Sequence, residues 1–360
     1  MENIQNFFKN KKVLVTGHTG FKGSWLSQLL LNSGAKIVGV ALKPSTTPNL
    51  FSLLGIKRKI NNYFVDIRNF QKIKEIFEKE KPEIVFHLAA QPLVRDSYDA
   101  PLYTFETNII GTANILEAIK ETRSVKSAVI ITTDKVYENK GNNHPYKEDD
   151  KLGGYDPYSS SKAGAEIVID SYIKSFFNPK YYKKKHATLI ASARSGNVLG
   201  GGDWSKDRLV PDIIKSIFEN NKKIIIRNPD SIRPWQYILE PSYGYLLLAK
   251  KLYEGKKEFS GAWNFGPKEK NYLTVRRLTE KTLKILKRGS YTIKRDYTKH
   301  EAKIIRLDIS KAKKLLGWSP IFDLDRTLKL TLDWYRSFYN KEDIVWITNQ
   351  QIELFFSKIL

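Results

Sequence analysis

Cysteine is absent from the chain, which excludes disulfides, thiolate nucleophiles and cysteine-based metal sites. Histidine is scarce, and the five present are scattered without the paired spacing of ligands, so no metal is expected. No apolar run is long enough to span a membrane, and the opening "MENIQNFFKNKK" lacks the apolar core of a signal peptide. A cytoplasmic protein with no membrane partner is the expectation. Acidic residues are also in short supply, 38 against 61 lysines and arginines, for a formal net charge of +23. That balance raises the question of nucleic acid. The lysines, however, are spread through segments such as "KIKEIFEKEK" and "KAKKLL", and the densest cluster, "YYKKKH", falls in a loop. We read a solvated basic surface with no nucleic-acid partner, and a charge that suits an anionic small-molecule substrate.

What is present is enough for a substantial core: 360 residues, 41% of them hydrophobic. Short apolar runs alternate with helical patterns. "KKVLVTG", "AKIVGVAL", "NNYFVDI", "EIVFHLAA", "KSAVIIT" and "ATLIASAR" read as six strands. The helical pattern "FKGSWLSQLLLNSG" stops at a glycine, and "NFQKIKEIFEKEKP" stops at Pro82. Strands apolar throughout, separated by helices, predict an α/β fold: a doubly wound parallel sheet of the Rossmann type. After Arg194 the pattern changes to loops punctuated by glycine and proline, predicting a smaller mixed α/β region over the strand ends. The expected division is a dinucleotide-binding domain at 1–193 joined by 234–266, with 194–233 and 267–360 holding substrate. The closing "DIVWITNQQIELFFSKIL" is amphipathic and predicts packing on the chain or a partner subunit.

"GHTGFKG" places Gly17, Gly20 and Gly23 between the first strand and a helix. The first glycine permits the turn, the second lets backbone approach a pyrophosphate, and the third lets the helix pack closely. The helix N-terminus adds amide donors and positive potential. His18 and Lys22 lie inside this turn and are placed to reach the cofactor phosphates. The acidic residue that ordinarily ends the second strand is missing, with Lys43 in its region, so by this rule alone NADP competes with NAD. Asp66, ending the third strand, is a candidate acceptor for the adenine amino group.

"YSSSK" sets Tyr158 and Lys162 one helical turn apart, on one helix face. A phenol is a poor base at neutral pH, and a nearby ammonium favours its phenolate. The strand end "TTDKVY" supplies Thr133, Asp134 and Lys135. His87 is read as a satisfied strand-end histidine and Asn108 as a structural tie.

Together with "HLAAQPLVRDSY", "TNIIGTANILEA", "ARSGNVLGGGDW", "DRLVPD", "RPWQYILEP", "WNFGP" and "HEAKIIRLDISKAKKLLGW", these motifs resemble the extended short-chain dehydrogenase/reductase superfamily. Within it they are similar to the nucleotide-sugar 4,6-dehydratases, those acting on CDP-glucose above all, and more distantly to the 4-epimerases. The resemblance implies an NAD-dependent hydro-lyase of deoxysugar biosynthesis, acting on a nucleotide sugar as a homodimer. It implies that Thr133 bonds the sugar 4-hydroxyl, Tyr158 takes its proton, Asp134 protonates the leaving 6-hydroxyl and Lys135 takes the C5 proton. It adds Phe21, Ile67, Leu88, Ala89, Ala90, Tyr158 and Lys162 to the cofactor site, and Asn197, Arg208, Arg233 and Arg306 to the substrate site. Where related dTDP-sugar enzymes carry a glutamate, Lys135 stands here, and a lysine base must be neutral when it acts.

Overall fold

In the computed structural model, residues 4–296 and 298–359 are described. Seven strands form one sheet: β1 Lys12–Thr16, β2 Lys36–Ala41, β3 Asn61–Phe64, β4 Ile84–His87, β5 Ser127–Ile131, β6 Leu189–Ser195 and β7 Gly261–Phe265. Their order is β7-β6-β5-β4-β1-β2-β3, and every pairing is parallel. The first six strands are those read from the sequence. The seventh comes from the returning segment and pairs with β6 in the register Trp263 to Ala193.

Alternation along the strands separates two cores. Val13 and Val15 face one side with Phe86, Val129 and Ala191, and that side is covered by α1, Phe21–Asn32. Leu14 faces the other with Val85, Ala128 and Ile190, under α2, Phe70–Glu80, and α3, Gly111–Thr122. Because both faces are covered, the strands can be apolar at every position. The C-terminal helices Leu324–Tyr339 and Ile344–Phe356 join the first core through Trp334, Tyr335, Ile352 and Phe355. The closing amphipathic segment therefore packs on its own chain. Among the described residues, no helix is long and apolar enough to cross a membrane.

Strand order reverses between β1 and β4. A crevice forms outside their carboxyl ends, the place where ligands bind in open parallel sheets. Thr16 stitches this point together: its hydroxyl accepts from the Leu88 and Ala89 amides, each at 3.1 Å. Short strand pairs from the second half of the chain roof the same end, among them Ile232–Pro234 with Tyr272–Thr274 and Val198–Leu199 with Gln236–Tyr237.

The glycine turn is enforced by contact. Gly17 has φ +73°, and a Cβ on it would meet the Ala89 amide nitrogen at 2.7 Å. A Cβ on Gly23 would lie 2.1 Å from the Gly17 carbonyl oxygen, so this residue is what lets α1 start against the turn. Gly23→Ala must push helix and turn apart. We expect it to lower unfolding stability by about 1–3 kcal/mol, read by urea denaturation; an unchanged midpoint would mean the helix has room that the contacts deny.

Candidate active site

The groove at the crevice has a volume of about 430 Å³ and is lined by Gly17, Gly20, Phe21, Lys22 and Gly23 of the turn and α1, by Asp66 and Ile67 after β3, and by Leu88, Ala89 and Ala90 after β4. Gly20 precedes α1 with no side-chain cap, so the first-turn amides remain available to a ligand. The cradle fits the pyrophosphate and nucleosides of a dinucleotide. Lys43 lines it where an acid was sought. Asp66 also lines it, but its carboxylate already accepts from the Arg68 guanidinium at 2.8 Å and from the Arg68 amide at 2.9 Å.

A second cavity of about 330 Å³ adjoins it, sharing Lys22, Leu88, Ala90 and Arg208. Thr133, Asp134, Lys135, Tyr158, Lys162, Asn197, Arg208 and Arg233 all line it. The two halves of the reacting set arrive by different routes. Thr133 to Lys135 come from the turn just past β5, with the Thr133 side chain capping that turn. Tyr158 and Lys162 come from α4, Pro157–Ser175, which starts sharply because Asp156 accepts from the Ser159 amide at 2.9 Å and proline occupies the first turn.

Burial governs the chemistry here. It pushes the Tyr158 phenol up to about 12, with the Thr133 hydroxyl pulling the other way. It lowers the Lys162 amine to about 8, opposed by Glu166. Lys162 Nζ donates to the Ile131 carbonyl at 3.2 Å; in this state its ammonium does not by itself bring phenolate into the neutral range. The Asp134 carboxyl is raised by burial, against Lys135, Thr133, Arg233 and Lys22. Its Oδ1 accepts from the Thr133 hydroxyl at 3.0 Å, and its Oδ2 is buried with no hydrogen-bond partner among the described residues.

Behind this set lies a buried ion pair. Glu166, one turn beyond Lys162 on α4, meets Arg194 of β6 at 2.8 Å. The same carboxylate accepts from Thr132 at 2.5 Å and Ser192 at 2.8 Å, while Arg194 donates to the Tyr137 hydroxyl at 2.8 Å and to the Glu148 carbonyl at 2.9 Å. Helix, strand and catalytic turn are thereby fixed to one another.

Two expected site residues stand elsewhere. The His18 side chain lines neither cavity. It turns inward, where its Nε2 meets Asn62 Oδ1 at 2.6 Å and its ring lies over Gly39, a position with no Cβ to obstruct it. Arg306 is also outside: it pairs with Glu269, bonds Asn143 at 2.8 Å and stacks on Tyr272. Arg233 does face the substrate cavity, with its guanidinium held by Glu301 at 2.6 Å, and Arg208 is held by Asp203 at 2.9 Å. Lys22 does not stop at the phosphate cradle but crosses to Ser195 Oγ at 3.0 Å, in the reacting pocket. His87 is buried between Thr16 at 2.7 Å and Thr112 at 3.1 Å, and Asn108 ties Gln91 to Ser161 of α4.

Sequence reasoning missed Glu301 and Ser195 as members of the pocket. Burial raises the Glu301 carboxyl, but Arg233 and Lys135 outweigh it and hold the group down at about 2. "HEAK" was the available signal, and the pairing with Arg233 across 68 residues is what gives it meaning. Among the described residues, no group of three or more His, Asp or Glu side chains could hold a metal ion.

A dinucleotide cradle opening onto a Thr-Asp-Lys turn and a Tyr-Lys helix defines an oxidoreductase-type site of the short-chain dehydrogenase/reductase class. Within that class, the chain belongs to the family described as GDP-mannose 4,6 dehydratase, whose model matches residues 14–331. It is similar to a CDP-glucose 4,6-dehydratase from Salmonella typhimurium, 45% identical over 98% of both chains. It is also similar to a UDP-glucuronate 4-epimerase from Thermodesulfobacterium geofontis, 30% identical over 94% of this chain and 99% of the other. Among solved structures, a UDP-glucuronic acid 4-epimerase from Bacillus cereus, in complex with UDP-glucuronic acid and NAD, superposes with a TM-score of 0.77 at 26% identity, covering 91% of this chain and 100% of that one.

Lys22 offers a test of the site's electrostatics. Burial, then repulsion from Arg208, lowers its amine to about 7 despite attraction to Asp134. A lysine with a depressed folded pKa disfavours the native state while it is charged, fully so at and below pH 7. The penalty fades as pH rises from there toward the unfolded value near 10.5. Lys22→Met should therefore raise the melting temperature at pH 7, and that gain should shrink steadily toward pH 10 in matched thermal scans; a gain that is constant with pH would refute the assignment.

Proposed function

We propose that the protein is an NAD-dependent CDP-glucose 4,6-dehydratase, yielding CDP-4-keto-6-deoxyglucose and water in deoxysugar biosynthesis. The observation that carries this reading is the convergence of Asp134 and Lys135 with Tyr158 and Lys162 on one cavity beside the dinucleotide groove. The curated relative at 45% identity supports the cytidine nucleotide. Gly17, Gly20, Phe21, Lys22, Gly23, Asp66, Ile67, Leu88, Ala89 and Ala90 would hold the cofactor. Bound NAD would supply a hydride acceptor for C4, a hydride donor for C6 and positive charge that favours a phenolate at Tyr158.

Thr133 bonds the sugar 4-hydroxyl and Tyr158 removes its proton; together with loss of the C4 hydride to the cofactor, this would leave a ketone at C4. The ketone acidifies the C5–H bond, so the Lys135 amine can take that proton. Asp134, its carboxyl shifted by burial toward the protonated form, gives its proton to the 6-hydroxyl, which leaves as water. The Lys135 ammonium then returns a proton to C5. Arg208, Arg233 and Asn197 face the same cavity and suit the diphosphate, guanidinium matching phosphate in two-point bonds. For Arg233 this requires sharing with or release from Glu301.

Dehydration and plain 4-epimerisation differ at C5. Turnover of CDP-glucose in heavy water should place deuterium there, because the lysine proton exchanges with solvent, and Lys135→Met should lose at least about 10²-fold of that incorporation. Product without C5 deuterium would favour an epimerase; full incorporation by Lys135→Met would move the base elsewhere.

We further read the enzyme as a cytoplasmic homodimer. Leu102 is 77% exposed, Ile110 53% and Ile167 61%, on the neighbouring helical segments after β4 and β5, an apolar face that suits a second copy. Sedimentation should give a dimer, with Ile167→Asp shifting it to monomer; an unshifted dimer would place the interface on another face.

A further inference from the structure

We propose that Thr133 is a proton bridge that returns to Asp134, once per turnover, the proton Tyr158 has taken from the sugar. This rests on the dehydratase reading and follows from counting its protons. Tyr158 gains the proton of the 4-hydroxyl. Lys135 takes one from C5 and gives one back to the same carbon. Asp134 loses one to the departing hydroxyl. The product keeps its ketone, so nothing returns a proton to O4. The site therefore begins as phenolate with carboxylic acid and ends as phenol with carboxylate. The number of protons is the same in both states; one of them is in the wrong place.

The residue between the two groups can move it. The Thr133 hydroxyl donates to Asp134 Oδ1 at 3.0 Å and shares its cavity with the Tyr158 phenol, whose ionised form it favours. Thr133, Asp134 and Tyr158 are 7%, 3% and 9% exposed and line one cavity, which a bound sugar would cover. A hydroxyl accepts and donates through a single oxygen. As the phenol's O–H breaks, Thr133 Oγ1 gains that proton and passes its own to Asp134 Oδ1, so threonine carries no charge before or after. The Lys135 amide, donating to Thr133 Oγ1 at 3.4 Å, orients this oxygen toward both partners. Burial raises the Asp134 carboxyl, which favours its taking the proton back; it raises the Tyr158 phenol as well, so release from tyrosine needs the positive charge that bound NAD would bring. The competing proton source is Lys22, which reaches the same pocket through Ser195.

The test is rapid-quench formation of the 4-keto product by the NAD-loaded enzyme, using CDP-glucose at several concentrations of formate or imidazole buffer. The wild type and Thr133→Ser should show steady turnover independent of buffer. Thr133→Val should show a burst no larger than one product per site, then turnover slower by about 10²-fold that rises in proportion to buffer concentration. Thr133→Ala serves if the valine variant fails to fold. Equal slowing of first and later turnovers with no buffer dependence would overturn the bridge. So would a buffer-dependent phase produced instead by Lys22→Met, which would assign the return path to the lysine. If the wild type forms no 4-keto sugar, the dehydratase reading itself falls, an outcome distinct from either of these.

Discussion

The site depends on the buried pair of Glu166 and Arg194. Lys162 and Tyr158 are presented by α4, whereas Thr133, Asp134 and Lys135 are presented by a turn after β5; backbone bonds tie the end of that turn to the approach to α4, Gly153 to Val136 and Glu138 to Lys151, each at 2.9 Å, but stop short of the helix itself. Glu166 lies on α4 one turn past Lys162 and reaches Thr132, Ser192 and Arg194; Arg194 in turn reaches Tyr137 at the far end of the catalytic turn. Five polar groups from three elements thus share one network. Such an arrangement is favourable only when complete, because removing one partner of a buried pair leaves an uncompensated charge, at a cost of about 3–5 kcal/mol. Registry between helix and turn is what the network provides.

The reacting pocket is built against its own solvation. Lysines and arginines, Lys22, Lys162, Arg208 and Arg233 among them, outnumber the carboxylates that line the same cavity, Asp134, Asp203, Asp207, Asp212 and Glu301. Burial lowers the two lysines and raises Asp134, moving acids and bases toward neutrality without any ligand. An anionic nucleotide diphosphate would relieve the excess of cations, so the same charges that repel one another favour its binding. Glu301 holds one of those cations, Arg233, in the meantime.

Much of this was legible in the sequence because it is local. The six N-terminal strands announce themselves as apolar runs, whereas β7 reads GAWNF, with a glycine and an asparagine among its five residues. Gly17, Gly20 and Gly23 work through contacts within a few residues of each other or of the next strand end. Tyr158 and Lys162 share a face by helical spacing alone. What could not be read was direction. His18 sits in the cradle sequence yet turns inward because Gly39 leaves space over β2 and Asn62 offers a partner. Arg306 carries the right chemistry but is captured by Glu269, Asn143 and Tyr272 before it can reach the pocket. Glu301 and Ser195 required knowledge of partners 68 and 173 residues away.

The seventh strand has an implication for biosynthesis. Until residue 265 has emerged, β6 has an open edge, with its amides and carbonyls on that side unpaired. A nascent chain carrying all six earlier strands thus exposes an unpaired strand edge to the ribosome's surroundings, the kind of edge that recruits other chains. The roof of the pocket is drawn from segments on both sides of that strand, including Arg233 before it and Glu301 after it. Translation therefore delivers the edge strand before the last wall of the substrate chamber, so the sheet can close before the chamber is ready for a sugar.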